Sequence, residues 1–258
     1  MSHGRFGDTL PPRWLEALAL PIEKIDSSHL AALPVEARLL ATAYIHLWPA
    51  GLTLGPDDLC ELPGLVEFLN LSRVQLIAAL DVFGVLLLAS SVRQMINGHQ
   101  LRAVYQQLGT ANRKWLDSAD RIDLIAASNL ATSPAGQPLR LADLREDAVL
   151  EWNSIRHLGA DTAVVVAASW LWRRLGALRP AIWALIRLRI SSAVLIEAES
   201  GKLRFGSNEP GAEGLGDSEL ESGRSAPDSR RRCLDPKQEV VFFFALIKLL
   251  GTEIHDLG

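Results

Sequence analysis

The chain has 258 residues, 48% apolar and 22% charged, with a formal net charge of −4. By length it holds one or two domains, and its composition is ordinary for a globular protein with a real apolar core. The slight acidic excess argues against a dedicated nucleic-acid binder, which carries a strong basic surplus. Two distant cysteines, Cys60 and Cys233, argue against both a disulfide framework and a zinc site, and fit a reducing cytoplasm.

Taken in chain order, the opening "MSHGRFGDTLPPRWLEALALP" lacks the apolar core of a signal peptide, because Glu16 interrupts its only candidate run. "LPVEARLLATAYIHLWPAG" predicts a helix. Pro34 suits its first turn, and Glu36 suits its positive N-terminus. Val35, Leu39, Leu40, Tyr44, Leu47 and Trp48 form one apolar face. "GPDDLCELPG" predicts a short helical turn broken at Pro63.

Residues 71–109 carry the clearest helical pattern. Ser72 with Gln75, and Ser91 with Gln94, both have capping-box spacing. The pattern predicts one helix from about Arg73 to Leu88, apolar nearly all round and hence central in a bundle. A second, from Ser91, ends at Asn97-Gly98, and a third runs from about His99 to Leu108 and stops at Gly109. The sequon Asn70-Leu71-Ser72 reads as a helix cap. "NRKWLDSADRIDLIAASNL" is compatible with helix, "ATSPAGQPL" is a loop, and "RLADLREDAVLEWNSIRHLG" returns to helix up to Gly159.

A further buried helix is predicted from Asp161, although three consecutive valines leave a strand open as an alternative. The uncharged runs Val82–Val92 and Thr162–Trp172 are each 11 residues long, where a bilayer span needs about 20. Both read as buried helix, and no transmembrane segment is expected. Strict alternation over Ile186–Ile190, followed by "AVLIE", predicts a small β-hairpin near residues 186–197. The expected fold class is therefore mainly α, a compact multi-helix domain over residues 1–199. Residues 200–258 are rich in Gly, Ser, Glu and Pro and are expected to be a disordered tail. The tail carries one short apolar segment at 240–250, suited to docking as a helix or strand.

The residues that carry chemistry are scattered. Asp57, Asp58 and Glu61 complement a helix N-terminus. Asp117, Asp120 and Asp123 share one helical face, as in magnesium-dependent helical enzymes, but no second acidic motif faces them. The six histidines do not pair at ligand spacing, and Gly211–Gly216 neither follows a strand nor opens a helix. No catalytic residue, metal site or cofactor is expected.

One stretch is less bland. Between Asp161 and Glu197 lie Arg173, Arg174, Arg179, Arg187 and Arg189 with no acid, interleaved with Trp170, Trp172 and Trp183. Two readings stand. Either the tryptophans are core and the arginines reach outward, or Trp170, Trp172, Arg173, Arg174 and Arg179 form a partner-binding face, since Trp and Arg are enriched where proteins meet. Attraction to acidic lipid or nucleic acid is a third use of such a segment.

"LPPRWLEAL", "DVFGVLLLASSVRQMINGHQLRAVYQQLG" and "ASWLWRRLGALRPAIWALIRLRI" occur in that order. Together they resemble the YscK/SctK family of type III secretion proteins, which includes rhizobial nodulation-locus members of the same apparatus. The matching features are an N-terminal Pro-x-Trp-Leu, a leucine-rich segment through Gly84 into Val92-Arg93, a Trp-Leu helix and a Leu-Arg-Leu-Arg run. The likeness covers roughly Leu10 to Glu197. It implies a non-enzymatic cytoplasmic component, peripheral to the inner membrane through the secretion apparatus. Such a component links the cytoplasmic domain of the inner-membrane ring protein to the pod (C-ring-like) protein of the sorting platform, for effector export. Nothing in the resemblance reaches the tail. The alternatives are a helical magnesium-dependent enzyme using Asp117, Asp120 and Asp123, and a peripheral adaptor binding acidic surfaces through the Arg/Trp segment.

Overall fold

A computed structural model of the chain describes residues 22–31, 33, 65–95, 97–129, 155, 161–201, 203 and 243. Every regular element among them is a helix, so the mainly α class holds. After a 3-10 turn at Ile22–Lys24, the elements are α1 (Ser27–Ala31), α2 (Leu65–Asn70), α3 (Arg73–Gln94), α4 (Gly98–Asn129), α5 (Thr162–Leu178), α6 (Pro180–Arg187) and α7 (Ser192–Glu199). The predicted helix at 34–51, the turn at 56–64 and the segment 130–154 lie outside the described residues, as does most of the chain beyond 203.

Helix α3 begins as its sequence predicts. The Ser72 Oγ accepts from the Gln75 amide at 3.3 Å, and the Gln75 side chain accepts from the Ser72 amide at 2.9 Å. This reciprocal pairing satisfies two amides that a helix start leaves open. The second predicted start, at Ser91, does not form. Helix α3 runs on to Gln94, and Ser91 is buried within it alongside Val92. A capping-box spacing marks a helix start only where the chain leaves the helix before it, and the buried run through Ala89 gives the backbone no reason to leave.

Asn97-Gly98 also acts differently from expectation. The Asn97 side chain accepts the His99 amide at 2.9 Å and its carbonyl accepts the Leu101 amide at 3.0 Å, so the pair opens α4 instead of closing α3. Gly109 does interrupt the helix as predicted, at φ 73° and ψ 170°, and α4 resumes beyond it. That backbone region is essentially reserved for glycine.

The core is organised by α5, which packs chiefly against α3 and α7, while α3 also packs on α4. Residues 162–171 are buried throughout, which explains the valine run without a strand: covered on opposite sides, the helix is apolar all round. Helices α3 and α5 approach closely at Gly84. A Cβ there would stand 1.8 Å from the Ala163 carbonyl oxygen. One described helix, α3, is long and apolar enough to cross a membrane by length and composition, and most of it is buried inside the bundle.

The predicted β-hairpin near residues 186–197 is a correction. Pro180 occupies the first turn of α6, and residues 188–190 turn. The Ser191 Oγ then accepts the Val194 amide at 3.4 Å to start α7. The alternation failed as a strand signal because its sides are not different. Ile186, Leu188, Arg189 and Ile190 are all buried, and only Arg187 is exposed. Beyond the boundary predicted at residue 199, Leu203 and Phe243 are also buried in this core.

Candidate functional site

The residues singled out as a partner-binding face fall on α5 and its C-terminal junction. Trp170 is fully buried, with its ring edge-on to Phe83 at 5.1 Å between centroids. Its indole N–H meets no acceptor among the described residues. The Arg174 guanidinium lies 4.3 Å above the same indole, an arrangement worth about 0.5–2 kcal/mol depending on solvation. Trp172 is half-buried, and Gly176 makes room for it, since a Cβ there would lie 3.1 Å from its ring.

Arg173 is exposed and donates to the Leu203 carbonyl, holding the segment after α7 against α5. Partial burial, with Arg174 beside it, lowers its pKa. Arg179 is the junction. Its amide donates to the Leu175 carbonyl at 2.7 Å and its carbonyl accepts from Trp183 at 3.1 Å. The structure thus brings the five predicted residues onto one helix and its end, with Trp170 directed inward.

The two remaining arginines depart from that face. Arg187 pairs with Glu199 at 3.0 Å, and the Trp183 indole donates to the same carboxylate oxygen at 3.1 Å, pinning α6 to α7. Arg189 is fully buried. Its guanidinium donates to the Leu69 carbonyl at 2.9 Å, to the Phe68 carbonyl at 3.4 Å and to the Leu71 carbonyl. These are carbonyls at the C-terminal end of α2, where the helix dipole is negative and acceptors lack intrahelical donors. Burial pushes the Arg189 pKa down to about 10, which leaves it charged at neutral pH.

Against the turn that carries Leu188 lies a second polar group that the sequence reading passed over. Asp26 is buried and caps α1, accepting from the Ser28 amide at 2.8 Å and hydroxyl at 2.7 Å. It also forms an ion pair with Arg73, the first residue of α3. Burial alone would raise the Asp26 pKa, but the two Ser28 hydrogen bonds, Arg73 and His29 outweigh it and hold the carboxyl below its usual value. The His29 Nε2 donates to the Ile190 carbonyl at 2.8 Å, the Asp26 amide donates to Leu188 at 2.9 Å, and the Ser192 amide donates to the Ser28 Oγ at 2.9 Å. A handful of polar groups therefore stitches α1 to the α6–α7 turn across the whole chain. Asp26-Ser27-Ser28 had the composition of a helix cap. Arg189 carried no local signal, since its partners are carbonyls about 120 residues earlier.

Of the magnesium-type aspartates, Asp117 is exposed, and the side chains of Asp120 and Asp123 lie outside the described residues, as do Asp57, Asp58 and Glu61. Among the described residues no group of three His, Cys, Asp or Glu is placed to hold a metal ion. What fold and site define together is a class: a helical bundle in which several charged side chains, Asp26, Arg73, Arg187, Arg189 and Glu199, fasten one element to another. No family model, curated protein or solved structure matches the chain.

Proposed function

We propose that this protein is a non-enzymatic connector of a type III secretion apparatus. In this reading it joins the cytoplasmic domain of the inner-membrane ring protein to the pod protein of the sorting platform. The apparatus named in this reading rests on the sequence resemblance of residues 10–197 to the YscK/SctK family. The single structural observation that favours a connector is the use made of the Arg/Trp segment. Trp170, Trp183 and Arg189 are buried within α5, α6 and the turn after α6, while Arg173, Arg174 and Arg179, on α5 and its junction, are exposed or half-exposed. A rigid helix bearing guanidinium groups above a buried aromatic layer suits recognition of an acidic protein surface. The protein acts in the cytoplasm, held at the inner membrane by its partners.

The test is co-purification of the full-length chain with the ring protein's cytoplasmic domain and with the pod protein. Binding to at least one is expected, with a tenfold or greater loss in the Arg174→Glu/Arg179→Glu variant at unchanged helical content. A folded chain that binds neither partner refutes the reading. Anionic vesicles serve as a parallel arm, because salt-sensitive binding there would instead favour a lipid adaptor.

A further inference from the structure

Among the described residues, every buried apolar side chain lies between Ile25 and Leu203 except Phe243. Its ring sits 4.6 Å from Phe83, 5.4 Å from Phe68 and 6.0 Å from Trp170 between centroids, the first two edge-on. Those three rings come from α3, α2 and α5. Phe83 and Trp170 also pack directly on one another, so the walls of this aromatic cleft hold each other without help from the occupant. Edge-to-face contacts of this kind add selectivity for an aromatic side chain over an aliphatic one of similar size.

The occupant arrives on an unusual length of chain. Between Phe205 and Val240 the only large apolar residues are Leu215, Leu220 and Leu234, amid Gly, Ser, Glu, Asp and Arg. Then comes "VVFFFALIKLL". A polar stretch with so few apolar residues has little with which to pack, whereas the segment it leads to must bury itself somewhere. Covalent connection by itself keeps a segment this far along the chain at high effective concentration near the bundle.

We propose that the Phe68–Phe83–Trp170 cleft is a docking site for an aromatic-bearing apolar segment, filled in cis by Phe243 of this chain. The segment is a detachable ligand of the helical bundle and not part of its framework. The inference is independent of the connector reading.

The experiment uses the full-length chain with a protease recognition sequence inserted after Ser222. After cutting, the two pieces co-elute in size exclusion at tens of micromolar and separate on dilution. The bundle keeps its far-ultraviolet helical signal when the tail piece has gone. A labelled synthetic peptide of residues 238–252 then rebinds by fluorescence anisotropy, and its Phe243→Ala version binds at least tenfold more weakly. Every arm keeps the bundle itself unmutated, so none depends on a variant's folding. Loss of the helical signal on release would make the segment framework and overturn the proposal. So would pieces that separate at every concentration, a Phe243→Ala peptide that binds equally well, or an intact chain that dimerises by exchanging tails.

Discussion

Arg189 and Asp81 show two ways in which this bundle handles a charge removed from water. Arg189 has its hydrogen bonds supplied by the carbonyl end of α2, so a single side chain of α6's following turn completes a helix far away in sequence. Asp81, partway along α3, is less well served. Burial raises its pKa, and the hydrogen bond donated by the Asn112 Nδ2 at 2.6 Å opposes that, while Asp161 raises it further. A carboxyl whose folded pKa is raised favours folding in its protonated form, and that advantage is lost as pH rises through the folded pKa. Asp81→Asn, which keeps an oxygen for Asn112 to donate to, should therefore melt about 1–3 °C above the parent at pH 7.5. The difference should shrink as pH falls through the carboxylate range, in thermal scans from pH 4 to 8. Asp26 has the opposite sign. Its lowered pKa contributes stability that is present above the usual Asp value and lost as pH falls through the folded one. Acidification thus loosens the fastening of α1 while relieving α3.

At the scale of elements, three helix starts in the described core are written in side chains, while α5 and α6 open without a side-chain cap. Ser72, Asn97 and Ser191 accept amides at the openings of α3, α4 and α7. Gly109 divides α4 because its φ of 73° with ψ of 170° is strained for any residue with a Cβ, although open space surrounds it. Gly109→Ala should accordingly cost roughly 1–3 kcal/mol in denaturant unfolding. Gly98→Ala, in the same helix with equally open surroundings and no positive φ, should stay within about 0.5 kcal/mol of the parent. Equal effects at the two glycines would mean that α4 is not divided at Gly109.

For the whole molecule, the decisive dimension is the spacing of α3 and α5, on which most of the remaining helices rest. A methyl group at residue 84 would meet backbone atoms of Ala163, at 1.8 Å for the oxygen and 2.5 Å for the carbon, and backbone cannot swing aside as a side chain can. The crossing would have to open, loosening contacts along both helices. Gly84→Ala should lower stability by at least about 1–3 kcal/mol, a fall of about 4 °C or more in a circular-dichroism melt. An unchanged melting temperature would show that the two helices do not approach as described. The same spacing sets the aromatic cleft, since Phe83 and Trp170 face each other across this pair of helices.

Much of this was legible in the sequence. Helix by helix, the mainly α fold followed from apolar periodicity, from the Ser72–Gln75 box and from the glycine at 109, because those are local effects acting within a few residues. Short-range pattern misled at Ser91 and over Ile186–Ile190, where burial on every side erased the distinction between faces that such patterns encode. The fastening of α1 by Asp26, the capping of α2 by Arg189, the close approach at Gly84 and the lodging of Phe243 belong to tertiary structure alone. Each joins groups tens to more than a hundred residues apart, and nothing in either local stretch specifies a partner that only the completed bundle brings within reach.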